Sequence, residues 1–244
     1  GTPVTYTALE SMELLADELA QSDTPDLEVD FLVGFCVLIR AQAFQSVGGF
    51  DTRFGRGLFE DNDLSYKLRR EGWQLSVATR AFVHHEGSKT IRRAVPDAQS
   101  LLERNKRVYE QKWLEDLRSG YASHLAGFRE GRIRFDPARK PEARLQEARR
   151  RAKQADISLI MIVKNEERVL GDCLSSAMPF FHETIVVDTG SPARTEPIAT
   201  AAGAKVFHFP WTESFAEARN ESLRHATGKW ILWLDADDPI DIAT

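Results

Sequence analysis

The sequence predicts an α/β fold, a mostly parallel sheet with helices flanking it, and three observations carry that prediction. Between residues 157 and 234, short apolar runs rich in β-branched residues alternate with segments of helical spacing. Glycines stand where two of those helices should stop, at Gly203 and Gly228. Polar clusters follow three of the apolar runs: Lys164-Asn165-Glu166, Asp188-Thr189-Gly190-Ser191 and Asp235-Ala236-Asp237. Parallel strands need crossover helices, and ligands of such sheets bind beyond the carboxyl ends of the strands.

Taken in order, the chain begins with Leu9, Met12, Leu15 and Leu19 at helical spacing, which predicts an amphipathic helix over residues 7–20. A polar loop runs from Gln21 to Pro25. Phe31–Arg40 reads as a buried strand interrupted by Gly34, and Gln42–Val47 as a short helix stopped by Gly48-Gly49. Asn62–Arg70 has helical spacing (Leu64, Leu68), acids at its start and Gly72 past its end. Trp73–Ala78 and Ala81–His85 read as two short strands, and Pro96–Trp113 as a further helix.

Asp136-Pro137 and Lys140-Pro141 then punctuate the chain, and Glu142–Lys153 is a charged helix with few apolar residues. Residues 129–155 therefore read as a connector between a first unit, 1–128, and a second, 156–244. The triplet Arg149-Arg150-Arg151 within it suits a solvated helix face or a phosphate contact. In the second unit the expected strands are Ile157–Val163, Thr184–Asp188, Lys205–His208 and Trp230–Leu234. The helices between them are Glu166–Ala177, Arg194–Ala202 and Glu213–Ala226.

With 244 residues the chain can bury a sizeable core, and its 42% hydrophobic and 28% charged content is that of a soluble globular protein. A net charge of −5 lacks the basic footprint of a general nucleic-acid binder. The longest apolar run, Phe31 to Ile39, is too short to span a bilayer. No leader pattern opens the chain, so a cytoplasmic location is expected. Cys36 and Cys173 sit in apolar patterns and read as buried reduced thiols.

The pair Asp235 and Asp237 follows the apolar run Trp230–Leu234. Residues i and i+2 of an extended backbone face one side, so both carboxylates can address one ligand. Hard oxygens suit Mg²⁺ or Mn²⁺, which also take oxygens from substrate phosphates. Asp238 is a turn former before Pro239. In the first unit Glu60, Asp61 and Asp63 stand at a helix start, either as a catalytic set or as plain helix-start acids. His84 and His85 end a strand, where one ring could face a metal or a phosphate. The five tryptophans read as core residues, with Trp211, in a loop after Pro210, the best stacking platform.

Residues 157–238 resemble the donor half of family-2 glycosyltransferases with the GT-A fold. The matching pieces are Met161-Ile162-Val163-Lys164-Asn165-Glu166-Glu167, Val186-Val187-Asp188-Thr189-Gly190-Ser191, Phe215-Ala216-Glu217-Ala218-Arg219-Asn220 and Asp235-Ala236-Asp237. The resemblance implies that Val163, Lys164, Asn165, Glu166, Asp188 and Gly190 surround the base and ribose. It places Arg219, Asn220 and Asp235 near the nucleotide sugar, with a metal, Mn²⁺ or Mg²⁺, on Asp235 and Asp237. Pro192-Ala193 replaces the Thr-Asp that commonly follows Gly-Ser in the family.

Residues 31–113 resemble the acceptor half of the same superfamily through Gly34–Arg40, Val47-Gly48-Gly49-Phe50-Asp51, Glu60-Asp61-Asn62-Asp63-Leu64 and Val83-His84-His85. Asn105 and Lys112-Trp113 fit an extension found in some members. The resemblance implies that Asp61, beside Glu60, is the general base of an inverting displacement, with His84 or His85 at the metal. The halves stand in the reverse of the usual order. The expected fold is thus a GT-A-like sheet built from two half-domains joined by a helical connector. The expected partners are a nucleoside-diphosphate sugar, a UDP-sugar favoured, and a glycan, protein or lipid-linked acceptor. The halves either belong to two different active sites or pair into one, within a chain or in a homodimer. A nucleotidyl transferase would want a Gly-rich phosphate loop that the sequence lacks. A non-catalytic nucleotide-binding or scaffold segment is the alternative if the halves do not meet.

Overall fold

The computed structural model describes residues 16–83, 97–116, 154–191 and 194–236, without 17, 24 and 115. Its first half contains β1 (Leu27–Glu28), β2 (Cys36–Arg40), α1 (Ala41–Ser46), α2 (Glu60–Arg70), β3 (Ser76–Val77) and α3 (Ala98–Lys112). Its second half contains β4 (Ile157–Val163), α4 (Leu170–Ala177), β5 (Glu183–Asp188), α5 (Thr195–Ala201), β6 (Lys205–His208), α6 (Phe215–His225) and β7 (Trp230–Leu234).

The second half builds a parallel sheet because its strands are short, apolar on both faces and separated by crossover helices. In β4 and β5 nearly every residue is buried, so both must lie inside the sheet. The register runs from Ser158 opposite Glu183 to Val163 opposite Asp188. Strand β6 lies outside β5, and β7 lies on the other side of β4, both parallel to their neighbours.

The fifth strand comes from the first half. Strand β2 pairs antiparallel with β7, Cys36 opposite Leu234 and Arg40 opposite Trp230, giving the order β2-β7-β4-β5-β6. Alternation along β2 sends Val37 and Ile39 to one face. There they join Phe44, Phe50, Leu64 and Leu68 of the first half and Ile160, Ile185, Val187 and Trp233 of the second in one core. On the opposite face Leu159, Met161, Val163 and Val186 pack under Leu170, Cys173 and Leu174 of α4 and Ala199 of α5. The two halves therefore share a sheet and a core.

The expected α/β class is observed, with several local differences. The strand predicted over Phe31–Arg40 begins only at Cys36, because the backbone before it is held by side chains of α2. Leu32 N–H donates to Ser65 Oγ at 3.0 Å and Gly34 N–H to Asp61 Oδ2 at 3.1 Å. Trp73–Ala78 shrinks to the two residues of β3, paired with β1, and residues 81–83 form no strand. The helix expected from Glu166 starts at Leu170, since residues 166–169 are a turn leading into it. The helices predicted over residues 7–20 and 142–153 lie largely or wholly outside the described residues. The same holds for nearly all of the 129–155 connector. Cys173 is buried and Cys36 half-buried, and neither forms a disulfide.

Candidate functional site

Parallel strands put their carboxyl ends on one edge, and three polar clusters meet there. After β4, the N–H of Asn165 donates to Ser191 Oγ at 2.9 Å, with Asn165 in the left-handed region at φ 61°. After β5, Asp188 Oδ1 accepts the N–H groups of Gly190 and Ser191 at 2.9 and 2.7 Å. This closes a tight turn that needs the positive φ of Gly190, 110°. The Thr189 N–H and hydroxyl both donate to the Val163 carbonyl, at 3.0 and 3.1 Å, locking this turn onto β4. Lys164 reaches across β5 to Trp211, its Nζ 5.6 Å from the ring centroid. Beyond β7 stands half-buried Asp235, followed by buried Ala236.

Because β2 runs antiparallel to β7, the chain entering β2 lies at this same edge. The Gly34 carbonyl accepts from Trp233 Nε1 at 2.9 Å, while its N–H donates to Asp61 Oδ2. A Cβ on Gly34 would lie 3.3 Å from the Asp61 Cβ, so this close approach favours glycine. Asp61 is thereby tied through one residue to β7, the strand that Asp235 follows. Its other oxygen, Oδ1, accepts the N–H of Asn62 at 2.8 Å.

Glu60, next in line, is only 9% exposed and pairs with Arg219 Nη1 of α6 at 3.1 Å. Burial pushes the Glu60 carboxyl above its ordinary pKa; Arg219 works against that shift and the Asp61 charge adds to it. Its Oε2 is buried without a hydrogen-bond partner. The helix start that carries both acids follows two non-glycine residues in the left-handed region, Leu58 at φ 67° and Phe59 at φ 74°. Behind it, wholly buried Asp63 accepts from Lys112 at 2.8 Å and from Trp113 Nε1 at 2.9 Å.

The structure thus groups Glu60, Asp61 and Arg219 and sets Lys164, Asn165, Glu166, Asp188, Gly190 and Asp235 along the strand ends. Two expected contacts take a different form. The Val163 side chain is 2% exposed and lies in the core under α4, and its carbonyl is engaged by Thr189, so it supports the site without facing it. Asn220 is spent on the first half: its Oδ1 accepts the Phe50 N–H and its Nδ2 donates to the Phe50 carbonyl, each at 2.9 Å. Asp237, His84 and His85 lie outside the described residues. In the sequence Gly34 reads as an interruption of an apolar run and as the start of a family-like piece, and neither reading carries its contact with Asp61. A glycine inside a strand pattern often marks such a close approach.

No group of three His, Cys, Asp or Glu side chains converges to hold a metal among the described residues. Asp235 is a carboxylate just past a strand end, and Mg²⁺ or Mn²⁺ bound through one or two carboxylates completes its shell with water and phosphate. The donor chemistry fits such an ion.

Residues 158–242 match the family model described as Glycosyl transferase family 2, and residues 7–98 that described as Glycosyl transferase family 21. A TPR repeat-containing protein of Synechococcus elongatus is 49% identical over 89 residues, 36% of this chain and 22% of that protein. The N-acetylglucosaminyl-diphospho-decaprenol L-rhamnosyltransferase of Mycobacterium tuberculosis is 35% identical over 106 residues, 43% of this chain and 32% of its own length. The chain thus spans less than a third of either curated relative. Among solved structures, glucosyl-3-phosphoglycerate synthase from Mycobacterium tuberculosis is 30% identical over 36% of this chain and 37% of that one, at a TM-score of 0.33.

Proposed function

We propose, from the match of residues 158–242 to the family 2 glycosyl transferase model, that this chain transfers a sugar from a nucleoside-diphosphate donor to an acceptor hydroxyl, with inversion. The observation that carries this reading is the tie Asp61–Gly34–Trp233, which sets a carboxylate of the first half at the strand-end edge of the second. Asp61 takes the proton of the acceptor hydroxyl. The acceptor oxygen bonds the anomeric carbon from one side as the bond to the diphosphate oxygen breaks on the other. The electron pair leaves with the nucleoside diphosphate.

The turn at Asp188–Ser191, with Lys164, Asn165 and Glu166 beside it, takes the nucleoside. The Asp188 oxygen not engaged in the turn and the cation of Lys164 are the groups offered to it. Arg219 holds Glu60 in place beside Asp61, and Asp235 with Asp237 would hold Mn²⁺ or Mg²⁺. When bound, that ion neutralises charge on the departing diphosphate. A UDP-sugar is the favoured donor, and the acceptor is a glycan, protein or lipid-linked hydroxyl.

Calorimetry with UDP, GDP and dTDP, with and without Mn²⁺, tests the reading on the chain and on Asp235→Ala and Asp237→Ala. Metal-dependent binding that both variants weaken is expected, and Asp61→Asn should bind nucleotide normally yet release no sugar to an acceptor. Failure of every nucleotide to bind would sink the reading and leave a scaffold segment in its place.

A further inference from the structure

One stripe of helix α3 grips the turn and the helix start that carry the acid pair. Asn105, Tyr109, Lys112 and Trp113 recur at the spacing of a single helix face. Tyr109 packs on Phe59 at 5.5 Å between ring centroids, and Lys112 and Trp113 bond Asp63. Asn105 makes the most specific contact. Its side chain is wholly buried, and Nδ2 donates to the carbonyls of Phe54, Gly57 and Leu58 at 2.7, 2.7 and 3.0 Å. Its Oδ1 accepts from Arg104 Nη1 at 2.8 Å. A cation on the oxygen side and three carbonyls on the nitrogen side allow the amide one orientation only.

We propose that Asn105 is a positioning residue for Asp61: it gathers three carbonyls of the 54–58 turn and so fixes where the first turn of α2 presents its carboxylate to Gly34. This rests on the reading of Asp61 as the base. Leu58 and Phe59 occupy a conformation that non-glycine residues hold only when the surroundings over-determine it. An amide with two hydrogens serving three carbonyls supplies that constraint as far as Leu58, two residues before the acids. Without it the turn relaxes toward right-handed or extended angles, and the first turn of α2 shifts with it. A displacement near 1 Å at a reacting group lowers turnover by about a hundredfold.

The positioning contact is read without substrate, and transfer activity of Asp61→Asn tests the base assignment separately. Hydrogen exchange is followed on the full chain for wild type, Asn105→Ala and Asn105→Ser, together with the ¹³C signal of the Asp61 carboxyl, identified by its loss in Asp61→Asn. In Asn105→Ala the Gly34 and Asp63 amides should exchange at least about tenfold faster, as loss of one or two hydrogen bonds implies. The Asp61 carbon should shift, while amides of β4 and β5 keep their rates. Asn105→Ser, which retains a donor, should fall between and serves if the alanine variant does not fold. Adding Leu58→Gly, which removes one strained residue, should restore part of the wild-type pattern. An unmoved Asp61 signal, or exchange rising equally across β4 and β5, would overturn the proposal by reducing Asn105 to a general stabiliser. If Asp61→Asn proves fully active while Asn105→Ala releases Gly34 as described, the base assignment falls and the positioning contact stands.

Discussion

Replacing Asn220 by alanine separates two roles that its position on α6 would permit, a nucleotide contact and a clamp between the halves. In the structure its amide closes a two-bond bridge to the Phe50 backbone, and Phe50 itself is 3% exposed in the shared core, 5.4 Å from Trp233. Alanine breaks both bonds and leaves the Phe50 N–H and carbonyl poorly solvated. At roughly 1 kcal/mol per lost bond plus the desolvation left uncompensated, the loss should be about 2–4 kcal/mol. That is a large part of a domain stability of about 5–15 kcal/mol. The assay is urea unfolding followed by tryptophan fluorescence, with Cm falling at constant m.

A second substitution sharpens the test. A Cβ on Gly49 would stand 2.7 Å from Asn220 Oδ1, and Gly49 has φ 73°. Gly49→Ala therefore disturbs the same bridge, and its clash with the amide disappears once residue 220 is alanine. The double variant should be less destabilised than the sum of the singles, by about 1 kcal/mol or more. An Asn220→Ala protein that unfolds like wild type but fails to bind UDP would refute the clamp and return Asn220 to the nucleotide.

Three further outcomes are expected. Burial alone would raise the Glu183 pKa, but hydrogen bonds from Lys205, Ser158 and Thr227 outweigh it and hold the group at about 2. A depressed folded pKa stabilises above the ordinary value of 4.5 and is lost as pH falls toward 2. Thermal melts between pH 5 and 2 should therefore show a loss of about 2 kcal/mol, discounted for the half-exposed Lys205, that Glu183→Gln abolishes. Arg219→Leu, which strands buried Glu60, should destabilise by about 3–5 kcal/mol and more than Glu60→Gln does. Denaturant midpoints of the two variants decide this. Gly228→Ala would set a Cβ 2.7 Å from the Asp156 carbonyl and 2.8 Å from the Ser158 N–H. Because backbone cannot yield cheaply there, a fall in Tm of several degrees is expected by calorimetry.

The second half was the more legible part of the sequence. Ile157–Val163 and Trp230–Leu234 are observed with the limits read from their apolar runs, because a strand buried on both faces announces itself by composition alone. The first half was harder. Leu32 and Gly34 stand in a strand-like run but spend their N–H groups on α2 side chains, a tertiary choice that local pattern does not carry. The acids at 60 and 61 were visible as types. Their tie to the other half was not, because it runs through the Gly34 peptide and the Trp233 indole, contacts that no spacing rule encodes. Asn220 shows the converse: a motif match placed it near the sugar, and geometry gives both ends of its amide to Phe50.

The pairing of β2 with β7 also orders events during synthesis. The bond between Trp233 and Gly34 closes a loop of 199 residues, and β2 leaves the ribosome long before its partner strand exists. The nascent chain must therefore carry Val37, Ile39 and the apolar face of α1 uncovered until Leu234 has emerged. At roughly 5–20 residues per second that wait lasts tens of seconds, long enough for chaperones to bind an unpaired apolar strand. The order that places β2 before β7 makes their pairing a late step, slow and of high contact order.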